Sequence, residues 1–196
     1  MLTRGKTLNR RRFLRQSAAI GLGSLIGTSV ARMGWAASND RVVIYQGVSL
    51  DSLHPYGYSG GGITGIWRHL IEPLIQMDYG RNEYVGVLAE SWEFQGRKWG
   101  FRLRKGIRFH NGSPFTSKDV AFSIDRLKND KRSMQGSYVD NVEVEIPDDN
   151  TVVLTTKNPN ALLLARLDTR FIISKDAGDQ LDNHPIGTGP YKFVSW

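Results

Sequence analysis

Apolar and polar residues alternate along Trp99–Arg104, with Trp99, Phe101 and Leu103 on one side and Gly100, Arg102 and Arg104 on the other. A period of two lines one face of a strand, so this stretch predicts a sheet with one buried face. Ile107 and Phe109 alternate with Arg108 and His110 in the same way and extend the expected strands past a Lys105-Gly106 turn. Gln95–Arg97 and Asn111-Gly112 are the other turns, the latter because both residues tolerate positive φ. The period then changes. Val120, Ile124 and Leu127 recur at helical spacing, and Thr116 stands three residues before Asp119, which predicts a capped helix running to Lys128. Trp92, Trp99, Phe101, Phe109 and Phe122 are the expected aromatic core.

The same reading covers the rest of the chain. Val42, Val43, Ile44 and Tyr45, within Arg41–Gly47, predict a strand covered on both faces. Ile63, Ile66, Trp67, Leu70, Ile71 and Leu74 predict an amphipathic helix of about three turns, ended or bent by Pro73. Val142, Val144 and Ile146 alternate with Glu143 and Glu145, turn through Pro147–Asn150 and return along Thr151–Thr156 as a second hairpin. Asn158-Pro159-Asn160 opens a short helix, Ala161–Leu167. Phe171–Ile173 and Tyr191–Val194 are expected strands, Ser133–Tyr138 a loop, and Asp176–His184 a polar linker.

Charge changes the picture at the amino terminus. Residues 1–36 carry seven basic residues and no acidic one. Within them Asn9-Arg10-Arg11-Arg12-Phe13-Leu14-Arg15 is close to the twin-arginine export pattern, with Arg10, Arg11, Phe13 and Leu14 as its key positions. A Gly-rich, weakly apolar run from Ser17 to Ala31 follows, too short to span a bilayer comfortably, and then Gly34-Trp35-Ala36. Small residues at the first and third places of that triplet place signal cleavage after Ala36. The chain's net charge of +7 therefore resides in the export signal: the residues after 36 hold 19 basic and 19 acidic side chains. A nucleic-acid partner, which a basic chain would otherwise suggest, is not expected.

No cysteine is present, which excludes disulfides and Cys-ligated metal or iron–sulfur centres. His54, His69, His110 and His184 lack the paired spacing of a metal site and are expected at surfaces or caps. No nucleophile–base or paired-carboxylate arrangement stands out, so neither an enzyme nor a cofactor is expected. One pattern argues otherwise. Gly60-x-Gly62-x-x-Gly65 matches the dinucleotide fingerprint, and the alternative function is a twin-arginine-exported oxidoreductase using that loop. The fingerprint requires a strand running directly into the first glycine, whereas His54–Ser59 is rich in loop-forming residues. A free-standing interaction domain is a third reading.

Three blocks are more specific than any of these: Leu88-Ala89-Glu90-Ser91-Trp92, Trp99-x-Phe101-x-Leu103-Arg104-Lys105-Gly106-Ile107-x-Phe109-His110-Asn111-Gly112, and Pro114-Phe115-Thr116-x-x-Asp119-Val120-x-Phe122-Ser123. With Ile186-Gly187-Thr188-Gly189-Pro190-Tyr191-Lys192-Phe193 they resemble the family 5 extracellular solute-binding proteins, the oligopeptide, dipeptide and nickel receptors of ABC importers. The resemblance implies a mixed α/β fold like type II periplasmic binding proteins, with residues 37–57 starting domain I, 58–183 forming an inserted domain II and 184–196 returning to domain I. It also implies an incomplete first lobe, a truncated chain without the second lobe. The implied partners are a peptide, peptide-like or opine-like solute, an inner-membrane ABC permease and the twin-arginine translocon, all consistent with a periplasmic location. By the same resemblance the ligand-facing residues are Tyr58, Ser59, Gly60 and Gly61, with Tyr138 and Tyr56 as further aromatic candidates.

Overall fold

A computed structural model describes residues 53–57 and 61–195, and of 61–63, 178, 179, 181 and 182 the backbone only. All belong to one compact unit, Ile44–Trp196. The export motif, the cleavage position Ala36, the expected strand Arg41–Gly47 and the loop residues Tyr58, Ser59 and Gly60 lie outside the described residues.

Helix α1, Gly61–Leu70, leads into a short antiparallel hairpin, β1 (Ile75–Asp78) and β2 (Glu83–Gly86). Next come β3 (Ala89–Gln95) and β4 (Lys98–Leu103), helix α2 (Ser117–Asn129), a 3-10 turn at Gly136–Tyr138, β5 (Val142–Asp148), β6 (Thr151–Thr156), helix α3 (Leu162–Leu167) and a 3-10 helix, Lys175–Asp182. The larger sheet has the antiparallel order β3-β4-β6-β5.

The two-residue period does what it predicts. Trp99, Phe101 and Leu103 are buried on β4, as are Val152, Leu154 and Thr156 on β6. Register aligns Phe94, Trp99, Leu154 and Val144 in one row and Trp92, Phe101 and Val152 in the next. Such cross-strand rows are the stabilising unit of a sheet, and the Phe94 and Trp99 rings meet at a tilt with centroids 4.5 Å apart. Val120, Ile124 and Leu127 of α2 are buried in the same core, whereas Lys98 and Glu145 on the outer face form an exposed ion pair at 3.4 Å. The β3–β4 hairpin turns at Gly96, whose φ of 62° needs no Cβ.

Helix α2 begins where Thr116 and Asp119 predict. Asp119 accepts from the Thr116 amide at 2.8 Å and the Thr116 hydroxyl at 3.0 Å. The same buried carboxylate accepts from the Lys175 amide at 3.0 Å. Ser123, one turn on, accepts from the Ile173 amide at 3.0 Å. The cap is thus also a clasp holding Ile173–Lys175 on the helix.

Several expectations are corrected. Helix α1 stops at Leu70 rather than continuing to Leu74, because Gly189 and Tyr191 turn their amides onto the carbonyls of Leu70 and His69 at 3.0 Å each. Ile71 and Leu74 are buried beyond the helix, which is why the apolar period runs on. Ile107–Phe109 forms a tight loop with a single bridge, Arg108 to Pro114, instead of a strand. Phe171 likewise makes one bridge, to Pro73, and Phe171–Ile173 is otherwise buried irregular chain. Asp176–His184 is mostly 3-10 helix rather than linker, and Tyr191–Val194 forms no strand. Trp92 and Phe122 pack only partly buried against the core.

The glycines of the last motif have a steric reason. A Cβ at Gly187 would lie 2.1 Å from the Leu70 carbonyl oxygen, and one at Gly189 would lie 2.6 Å from that of His69. His110 closes the join: its amide donates to the Gly187 carbonyl at 2.9 Å, and its Nε2–H donates to the Gly189 carbonyl at 2.8 Å. Nδ1 of the same ring accepts from the Gly187 amide at 3.4 Å. Two distant sequence motifs therefore meet at the carboxyl end of α1 and satisfy its open carbonyls.

Candidate functional site

A cavity of about 560 Å³ lies against α1, lined among others by Thr64 and Arg68 of that helix, Met77 of β1, Tyr138 and Arg170. Each element contributes for a local reason. Arg68 projects from α1 beside the buried Trp67. Met77 stands on the short hairpin. Tyr138 ends the 3-10 turn after α2, and Asp168, Thr169 and Arg170 follow the last turn of α3.

Asp168 organises the floor. It is buried, accepts from Arg68 Nη2 at 3.1 Å through Oδ1, and accepts from the Met77 amide at 2.8 Å through the same oxygen. Its backbone carbonyl takes a second bond from Arg68 Nη2 at 3.1 Å. This ties α1, β1 and the end of α3 together across a hundred residues of sequence. Arg170 is buried too, and its Nη1 donates to the Thr169 hydroxyl at 2.8 Å. Its guanidinium lies 4.5 Å from the Tyr138 ring centroid, and that of Arg166 lies 5.6 Å from it. Both distances are within the range where a ring face attracts a cation. Burial lowers the Arg170 pKa from its usual value, the Tyr138 and Tyr56 rings acting the other way. An arginine of this kind stays charged all the same.

The expected ligand residues separate. Tyr138 lines this cavity. Gly61 is the first residue of α1, the helix that forms one wall. Tyr56 is corrected: it is 1% exposed, and its hydroxyl donates to the Phe171 carbonyl at 2.7 Å, so it is a core residue. Burial raises its phenol pKa well above the ordinary value. His54, expected at the surface, is buried as well. Its Nδ1 accepts from the Tyr56 amide at 3.3 Å, which leaves the proton on Nε2 to donate to Asp130 at 3.0 Å. These contacts pin Leu53–Gly57, which lead into the expected ligand loop.

The oxidoreductase alternative loses its premise. Residues 53–57 are loop and turn, and no strand precedes α1 among the described residues. No cluster of three or more His, Asp or Glu suited to a metal occurs among the described residues. Arg68, Asp168 and Arg170 escaped the sequence reading. The signal that could have found them is an Asp-Thr-Arg run directly after a short apolar helix, with an arginine on the flank of an otherwise apolar helix.

Residues 83–196 match the model of the bacterial extracellular solute-binding proteins, family 5. The chain is 31% identical over 177 residues to the glutathione-binding protein GsiB of Pectobacterium atrosepticum, covering 85% of this chain and 34% of that protein. Among solved structures it is similar to NikZ of Campylobacter jejuni in complex with Ni(L-His), at 28% identity and a TM-score of 0.67, covering 76% of this chain and 32% of that one. It is also similar to the periplasmic binding protein DppA of Helicobacter pylori in complex with the peptide STSA, at 30% identity and a TM-score of 0.64, covering 74% and 35%. The chain spans about a third of the length of these relatives.

Proposed function

Because the chain belongs to the bacterial extracellular solute-binding proteins of family 5, we propose that it forms part of the receptor of an ABC importer. The solute is a peptide or a peptide-like, opine-like compound, delivered to a permease in the inner membrane. The receptor binds and releases it without chemical turnover. The observation that carries this reading is the family match over residues 83–196, on a fold shared with receptors solved with a peptide and with a histidine complex of nickel. The cavity beside α1 suits the role. It offers an aromatic face and fixed guanidinium groups, and Asp168 is committed to Arg68 and the Met77 amide.

On this reading residues 37–57 and 184–196 belong to the first domain and 58–183 to the inserted one, with Tyr58, Ser59, Gly60 and Gly61 facing the solute. The opposite wall of the cleft comes from the two thirds of the relatives that this chain does not match, and closure of the two walls is what the permease reads. Residues 1–36 direct export through the twin-arginine route, with cleavage after Ala36, to the periplasm.

Calorimetric titration tests the function. A protein carrying this chain together with the remaining length of its relatives should bind members of a peptide and opine panel with one-to-one stoichiometry and leave them chemically unchanged. Turnover of a bound compound, or cofactor absorbance in the purified protein, would refute it. Replacing Arg10 and Arg11 by Lys should block export while leaving the folded precursor in the cytoplasm; undiminished export would overturn the twin-arginine assignment.

A further inference from the structure

Tyr138 stands on a 3-10 turn, Gly136–Tyr138, that has no buried residue of its own. The ring is held from α3 instead. Arg166, half-buried in the last turn of that helix, donates from Nη1 to the Tyr138 carbonyl at 3.2 Å, and its guanidinium lies 5.6 Å from the Tyr138 ring centroid. Arg170 lies against the same ring at 4.5 Å. Arg166 therefore holds one residue twice, by its backbone and by its ring. It does so against an opposing force, because the Arg166 and Arg170 charges repel. Asp168, between them in sequence, is engaged by Arg68 and the Met77 amide, and among the described residues no carboxylate pairs with Arg166. Two guanidinium groups on one tyrosine need a compensating attraction, which the electron-rich ring face supplies. Arg166 itself is not among the residues that line the cavity.

We infer that Arg166 is a positioning residue: it sets the orientation of the Tyr138 ring in the cavity before a solute arrives, without touching the solute. The assignment rests on the reading of the chain as a receptor whose Tyr138 faces the solute, and adds to it a residue outside the cavity that contributes to affinity. A side chain ordered in advance does not have to be ordered when the solute binds, so that entropy is not lost from the affinity. The two attachments divide the work. The bond to the carbonyl holds the backbone of the turn, and the cation over the ring sets the ring's plane. Lysine reproduces the charge but not the planar fork that serves both.

The test uses the complete receptor and the member of the peptide and opine panel that it binds most tightly. Arg166→Met should weaken binding about three- to tenfold in the unaltered receptor and less than about 1.5-fold in the Tyr138→Ala receptor, the coupling expected of a residue that acts through another. Arg166→Lys should recover part of the loss. Melting curves show whether each variant is folded. A second arm needs no variant: crystal structures with and without the solute should show Tyr138 in one rotamer, with the Arg166 bond to its carbonyl kept. An equal loss in both backgrounds would overturn the inference and leave the receptor reading standing. So would an Arg166→Met or Tyr138→Ala receptor that binds as tightly as the unaltered one, a Lys variant no better than Met, or a Tyr138 ring that turns to a new rotamer on binding. Binding of no member of the panel would remove the receptor reading and the inference together.

Discussion

Replacing Asp119 by Ala should cost far more than the loss of an ordinary helix cap. The carboxylate serves three donors: the Thr116 amide, the Thr116 hydroxyl and, from fifty-six residues away, the Lys175 amide. Loss of an N-terminal capping side chain costs about 1 kcal/mol. Leaving the Lys175 amide without an acceptor in a partly buried position adds about 1–2 kcal/mol. The total, about 2–3 kcal/mol, is a large fraction of a typical domain's stability. Asp119→Asn keeps one carbonyl oxygen, which can serve Thr116 or Lys175 but not both, and should fall about midway. The exposed Asp125 on the same helix, which accepts from the Asn129 side chain, provides the control: Asp125→Ala should cost less than about 0.5 kcal/mol. Urea denaturation measures all three, as a shift in midpoint at unchanged slope. Hydrogen exchange at the Lys175 amide should accelerate in Asp119→Ala. A loss below about 1 kcal/mol, or an unchanged Lys175 amide, would refute the claim that the cap also fastens the 3-10 segment.

The remaining predictions concern the loop, the motif glycines and pH. Gly187→Ala, which brings a Cβ to 2.1 Å from the Leu70 carbonyl, should destabilise by more than about 2 kcal/mol in a melting experiment. Gly96→Ala meets no atom within 4 Å and should cost only the positive-φ strain, about 1 kcal/mol. Tyr56→Phe should lose about 1 kcal/mol with the bond to the Phe171 carbonyl, and it should leave solute affinity within about twofold because the ring is not at the cavity. Hydrogen bonds from the Arg132 side chain and amide, and from His54, hold the Asp130 carboxyl far below the usual carboxylate range. Because its folded pKa is depressed, Asp130 contributes stability above about pH 4, its value in the unfolded chain, and that contribution fades as pH falls through the folded value. Asp130→Asn should therefore be less stable than the unaltered protein at pH 7, with the gap narrowing steadily below about pH 4 in acid denaturation. A gap independent of pH would contradict the linkage.

The strands and the capped helix were legible because their signals are local. Trp99, Phe101 and Leu103 alternate, and the partner strand β6 alternates too, so each face declares itself without knowledge of the fold. Thr116 and Asp119 announce a helix start for the same reason. Where the reading failed, tertiary contacts overrode the pattern. Ile71 and Leu74 continue the helical period of α1, yet the amides of Gly189 and Tyr191 take over the helix's final carbonyls at Leu70 and His69. Phe171–Ile173 is apolar enough for a strand, but its amides are spent on Ser123 and the Glu72 carbonyl instead of a neighbouring strand. The cavity was the least legible part. Arg68, Tyr138 and Arg170 come from three elements that no sequence period links, and only Tyr138 stood out beforehand, through a family resemblance rather than through its own surroundings.

A crystal structure of the complete receptor with a tightly bound peptide would test the central claim most directly. The account predicts the peptide in the cavity against α1, in contact with the Tyr138 ring, with the Arg68–Asp168 pair intact. A peptide bound away from this cavity, touching neither α1 nor Tyr138, would contradict it.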